Sequence, residues 1–247
     1  MKVEWKHRQA ESEVRPLLRA VSRIDPQLAA AFPRPIIDLV CAAFPVAFER
    51  HEGLRLSTII QVLGDVYGID QDALPVPDAE PVAGYCFARG AQAVIFSDPR
   101  HGEGFERFTQ AHEVGHLFVE YLPTLATAGQ RSLFGEEAPS PFYARRDSVA
   151  YMFLGGSPEG KPSGDRGLDG LRADPRAWRR EVIANGFAAE LLAPHAEVAR
   201  LLTQLPDGGD PIPAMRDRFG LSQRAAEVRL EDLGHFGPSG GARSLFE

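Results

Sequence analysis

One stretch constrains this chain more than any other: Arg107-Phe108-Thr109-Gln110-Ala111-His112-Glu113-Val114-Gly115-His116-Leu117-Phe118. It places His-Glu-x-x-His inside a segment that reads as a helix. Residues four apart on a helix share a face, so the imidazoles of His112 and His116 converge on one point. Neutral imidazole is a good ligand for Zn²⁺, and its second ring nitrogen stays available for a supporting hydrogen bond. Glu113 follows the first histidine and sits beside such an ion rather than on it. There it can take a proton from a water polarised by the ion and pass it to a leaving amine. Phe105, Phe108, Ala111, Gly115 and Phe118 or Val119 give the segment an apolar stripe, so the helix is expected to be packed. Gly115 costs about 1 kcal/mol relative to Ala in a helix. It makes sense where another backbone passes close by.

A catalytic zinc site needs a third protein ligand and an open fourth position. The candidate lies in a second long helix, Trp178 to Pro194, where Glu181 and Asn185 are four apart on one face. That spacing suits a carboxylate ligand with a supporting hydrogen-bond partner one turn on. The rival, Glu190, is nine residues from Glu181, about 180° away in helical phase. It is expected to make a surface contact instead. Two histidines and a carboxylate also suit Mn²⁺ or Fe²⁺, so the pattern does not by itself select zinc.

These two motifs, RFTQAHEVGHLF and E-x-x-A-N-x-F-A-A-E-L-L-A-P, resemble those of the ImmA/IrrE family of metallo-endopeptidases. The resemblance runs from about Val82 to Pro194, with a weaker echo from Phe219 to Leu233. It implies an α+β fold with a zincin-like metallopeptidase core. In such a core a small sheet with a hairpin packs on the His-Glu-x-x-His helix and a second ligand helix. It also implies His112, His116 and Glu181 as zinc ligands and Glu113 as general base. The implied partner is a helix-turn-helix transcriptional repressor, cleaved to switch on stress, defence or mobile-element genes. Two departures stand out. The gap from His116 to Glu181 is long for the family, and the C-terminal stretch shows no obvious sensor domain.

Four segments are expected: N-terminal helices over 1–70, a peptidase core over 71–205 with a long insertion at 123–176, a helix-turn-helix-like segment over 206–236, and a flexible tail over 237–247. In the first, helices are expected over 8–24, where Pro16 is tolerated only if the helix begins near it, and over 34–49, kinked or ended by Pro45. A third runs from Thr58 to Tyr67, capped by Ser57 and closed by Gly68. The acidic, Pro-bearing stretch from Gln71 to Pro81 reads as a linker. Val82–Ala88 and Ala93–Ser97 read as a β-hairpin whose edge an extended substrate could join as an extra strand. His101 reads as a surface histidine.

The insertion is rich in Gly, Pro and Ser, and a loop of that length between two ligand helices suggests a lid or a substrate-selecting wall. It carries basic patches at Arg145-Arg146 and Arg172, and an apolar run from Val149 to Leu154. Tyr143, Tyr151 and His195 are candidates to stabilise an oxyanion.

Composition limits the alternatives. The 247 residues are 44% hydrophobic and 25% charged, as in a globular domain. The net charge of −7 argues against nucleic acid or an anionic membrane as the main partner. In the last helix pair, Arg216, Arg218, Arg224 and Arg229 are offset by Asp217, Glu227, Glu231 and Asp232, where a DNA reader should show a basic face. No run approaches the ~18 apolar residues of a spanning helix, and the N-terminus lacks an apolar signal core. A cytoplasmic location follows as the expectation, with Cys41 and Cys86 as reduced, buried thiols. The competing reading is a metal-stabilised interaction module that binds a regulator without cutting it. A purely structural site has no use for Glu113 and would close its fourth position with protein.

Overall fold

A computed structural model of the chain describes residues 2–70, 81–124, 142–146, 175–206 and 209–235. The hairpin is the frame for the rest. Its strands β2 (Gly84–Arg89) and β3 (Gln92–Ser97) pair antiparallel, with Gly90 at φ +59° in the tight turn. Strand β1 (Val46–Arg50) runs parallel to β3, and β4 (Phe142–Arg146) runs antiparallel to β2. The sheet order is β1-β3-β2-β4.

Period-2 alternation sends side chains to opposite faces. Cys86, Ala88, Ala93 and Ile95 enter the main core, whereas Tyr85, Phe87, Val94 and Phe96 pack with a second cluster. That second cluster is completed by Leu56, Ile59, Ile60 and Leu63 of helix α4 (Leu56–Asp65). On the other face lies α5 (Glu103–His116), the helix that carries His-Glu-x-x-His. Burial on both faces explains why the hairpin strands read as nearly unbroken apolar runs.

Against α5 packs α6 (Pro175–Leu192), the expected second ligand helix. Helix α1 (Lys2–Ile24) lies against α6 and buries Val14, Leu17 and Val21. Short helices α2 (Pro26–Ala30) and α3 (Ile36–Cys41) follow it. The chain closes with α7 (His195–Thr203), α8 (Pro211–Phe219) and α9 (Gln223–Asp232). The last two form the expected helix-turn-helix outline. Gly220 takes φ +64° between them, and the Ser222 side chain accepts from the Ala225 N–H.

Residues of the N-terminal helices, of α5 and α6, and of the last pair belong to one hydrophobic cluster. The fold is therefore α+β, mostly helical, with one small mixed sheet. No described helix is long and apolar enough to cross a membrane.

Several local expectations need correction. Helix α1 does not begin near Pro16 but runs through it from Lys2. Pro16 is exposed, so its ring points outward. Burial of Val14, Leu17 and Val21, at about 1.5–3 kcal/mol each, offsets the roughly 3 kcal/mol of an interior proline. The expected helix over 34–49 stops at Cys41, and Val46–Arg50 is strand instead. Its partner is β3, far away in sequence, and the Pro45 carbonyl accepts the Ala93 N–H at 3.2 Å. Ser57 does not cap α4. The helix starts two residues earlier than expected, at Leu56, which is buried in the second cluster. Cys41 is exposed rather than buried, its thiol donating to the Val46 carbonyl at 3.1 Å; both cysteines are free. The hairpin offers no open edge, because β1 and β4 occupy both of its sides. Residues 71–80, the run Val149–Leu154, Arg172 and the tail from Gly237 lie outside the described residues.

Candidate metal centre

The centre forms where α5 and α6 cross. Gly115 sits at the crossing, as its sequence context implied. A Cβ on it would lie 3.0 Å from the Ala184 carbonyl oxygen and 3.1 Å from the Ala184 Cα. The absent side chain lets the two helices close until their polar faces meet.

His112, His116 and Glu181 converge there, all buried. The His112 Nε2 and His116 Nε2 atoms are 2.8 Å apart. Glu181 Oε2 lies 3.4 Å from His112 Nε2, and its Oε1 lies 3.3 Å from His116 Nε2. A tetrahedral ion with ligand bonds of about 2.0–2.1 Å spaces its donors by about 3.3 Å. The two separations to Glu181 match that spacing, and the His–His separation is somewhat shorter. Two imidazoles and a carboxylate form a donor set for a divalent metal, so the group could hold one.

Each ring is turned by its other nitrogen. His112 Nδ1 is 2.8 Å from Asn185 Oδ1, so Nδ1–H donates to the amide oxygen and Nε2 faces the centre. Asn185 thus supports His112 as the i,i+4 spacing from Glu181 suggested. His116 Nδ1 bonds the carboxylate of Glu120, which in turn meets Arg180 Nε at 3.0 Å. Glu120 was not singled out in the sequence, although it stands four residues after His116, the same spacing that links the two histidines.

Charge follows this geometry. Burial works against a charged His116, but the Glu120 and Glu181 carboxylates outweigh it and lift its pKa to about 9 when no metal is bound. Burial alone would raise the Glu181 pKa; His112 and His116 overcome it and hold the carboxyl far below its ordinary range.

Glu113 is fully buried one residue after His112 and faces β2. A Cβ on Gly84 would fall 2.9 Å from Glu113 Oε1 and 2.5 Å from Thr109 Cγ2. Gly84 carries no ligand chemistry of its own, but a glycine inside a strand often marks such a close approach. Cys86, two residues on, is wholly buried. Burial pushes its thiol well up, and the nearby Glu113 and Glu120 charges add to that.

Among the described side chains, the other candidates do not join the centre. His195 is exposed at the start of α7, where its backbone N–H donates to Glu190 at 3.2 Å. Glu190 lies on the opposite side of α6 from Glu181, so the chain that follows it leads away. Glu190 itself is no ligand, but neither is it a surface residue. It is buried and paired with Arg229 of α9 at 2.6 Å. Tyr143 stands in β4 opposite Phe87. Its side chain, and Tyr151 altogether, lie outside the described residues. His101 is exposed, as expected.

Compared with protein-family models and with curated proteins, the chain matches none.

Proposed function

We propose that the protein is a zinc-dependent endopeptidase with a zincin-like core. The observation that carries this reading is the convergence of His112, His116 and Glu181 beside a buried Glu113. A structural site needs no such carboxylate, and its fourth position is closed by protein. Among the described residues the cluster has three members.

A zinc ion held there would act as a Lewis acid toward a peptide carbonyl and an attacking water. The protein supplies the remaining parts. Asn185 and Glu120 orient the imidazoles, and Glu113 accepts the water proton and returns it to the departing amine. The apolar surroundings, with Phe108, Val114 and Leu117 in the core, strengthen each electrostatic contact by excluding water.

By the motif resemblance, the substrate is a helix-turn-helix transcriptional repressor, cut in the cytoplasm. The last helix pair suits packing better than DNA reading. Arg229, one of its basic residues, is buried on Glu190 and on the Ala193 carbonyl. Arg224 pairs with Glu227.

Metal content, measured on the wild type beside Glu181→Gln, Glu190→Gln and Glu113→Gln, tests the reading. The expected result is about one zinc per chain in all but the Glu181 variant. Incubated with candidate repressors, Glu113→Gln should lose cleavage by about a hundredfold or more while keeping its metal. Zinc binding with no cleavage by the wild type would leave the interaction module as the surviving reading. No metal in the wild type would remove both.

A further inference from the structure

We propose that Glu120 is the positioning residue of the metal centre, with Arg180 as its counter-ion. The proposal rests on the triangle of His112, His116 and Glu181 being a metal site. It does not require that the site cut peptides.

The two histidines are supported differently. His112 donates to a neutral amide, whereas His116 donates to a carboxylate. A carboxylate behind an imidazole fixes which nitrogen carries the hydrogen and makes the other a stronger donor toward metal. His116 is therefore the stronger of the two nitrogen ligands. Its ring is held only if the Glu120 carboxylate stays in place and turned toward it.

Arg180 serves both needs. Its Nε lies 3.0 Å from Glu120 Oε2, while Glu120 Oε1 faces His116. The Glu120 side chain is 16% exposed and that of Arg180 51%, so the ion pair spans the border between the centre and solvent. Arg180 immediately precedes Glu181. One ion pair thus ties the third ligand's own turn of α6 to the turn that follows the second histidine. That turn is a π-helical one, Leu117–Tyr121, a widened geometry often found at functional sites. It is fixed on its far side by Tyr121, whose hydroxyl donates to the Gly90 carbonyl at 2.7 Å.

The experiment uses the full chain and zinc alone as probe. Zinc affinity is measured by chelator competition for the wild type, Glu120→Gln, Glu120→Ala and Arg180→Gln. Thermal unfolding of the metal-free proteins and the visible bands of the cobalt-loaded ones are recorded alongside. Glu120→Gln keeps the shape and loses the charge, so a roughly tenfold weaker affinity is expected; Glu120→Ala should lose about a hundredfold. Arg180→Gln should weaken binding in the same direction by less. The cobalt bands should shift in both Glu120 variants, which a residue acting only in folding would not cause. If Glu120→Ala does not fold, the near-isosteric Gln variant carries the test. Zinc affinity within about threefold of wild type in the folded Glu120 variants would overturn the proposal. Failure of the metal reading itself would look different: no zinc bound by the wild type.

Discussion

Gly84→Ala is the smallest change that tests how the sheet and the metal helix are fitted together. The added methyl would lie 2.5 Å from Thr109 Cγ2, 2.9 Å from Glu113 Oε1 and 3.2 Å from Glu113 Cγ. Thr109 is buried on α5 and β-branched, so it has little freedom to turn aside. Either β2 lifts from the helix or the Glu113 carboxylate moves. Overpacking of this kind costs about 1–3 kcal/mol. For a chain of this size that corresponds to a fall in Tm of about 5 °C, read by thermal unfolding. The proposed ligands His112, His116 and Glu181 stand on α5 and α6 and meet without Gly84, so zinc content should be unchanged. On the proposed endopeptidase reading, turnover per bound zinc should fall further than stability implies, by about tenfold to a hundredfold, because displacing the proposed base by about 1 Å costs that much. A Gly84→Ala protein with wild-type Tm and wild-type turnover would refute the argument.

Three further outcomes follow from the geometry. In the metal-free protein the His116 pKa is raised from 6.5 to about 9, so the stability it contributes is complete below about 6.5 and lost as pH rises through about 9. Glu181, depressed from 4.5, contributes above that value and loses its share as pH falls below it. Chelator-treated protein should accordingly resist urea best between about pH 4.5 and 6.5, whereas zinc, which must displace the His116 proton, should bind about tenfold more tightly per pH unit up to about 9. Arg229→Met strands the buried Glu190 carboxylate and should cost about 3–5 kcal/mol in denaturant melts; zinc content of the folded protein should hold, since Glu190 is about 13 Å along α6 from Glu181. Gly115→Val drives a branched side chain into Ala184 and Phe187 and should weaken both stability and zinc affinity; unchanged zinc affinity in a folded Val variant would contradict the close crossing.

What the sequence exposes and what it hides divide along one physical line. His112, His116 and Asn185 were legible because helical spacing alone puts them on faces that meet. Gly115 was legible because a poor helix residue in a packed helix needs a reason. The hairpin was legible from two apolar runs around a glycine turn. Val46–Arg50 was not. Its identity as a strand depends on β3, some forty residues away, and locally it continues an apolar helical pattern. The same holds for Glu190, whose burial depends on Arg229 of a helix well downstream. The position of Gly84 over Glu113 is a tertiary fact as well, though a glycine in a strand was a usable signal. Glu120 was missed for a different reason. Its spacing from His116 is local, but a glutamate four residues after another polar residue is common on exposed helix faces, so its residue type carries no signal of its own.

The sheet order also limits how a peptide could meet Glu113. Adjacent strands are about 4.8 Å apart. Strand β2 lies against Glu113 through Gly84, and β4 already fills its outer side, with Arg146 opposite Gly84 and Ala144 opposite Cys86. A peptide that paired with the far edge of β4 would therefore run about 9.6 Å from β2, two spacings away. One that took the place of β4 would run beside β2 itself. Within strand-addition binding, only the second arrangement brings a scissile bond close to the strand that touches Glu113. The centre is otherwise nearly closed: the His112 side chain is 0% exposed, that of His116 3% and that of Glu181 11%. Such burial favours tight metal binding and well-oriented ligands, and it leaves little room for a polypeptide. Among the described residues, β4 is the strand that occupies the outer side of β2, where a peptide pairing beside Glu113 would have to lie.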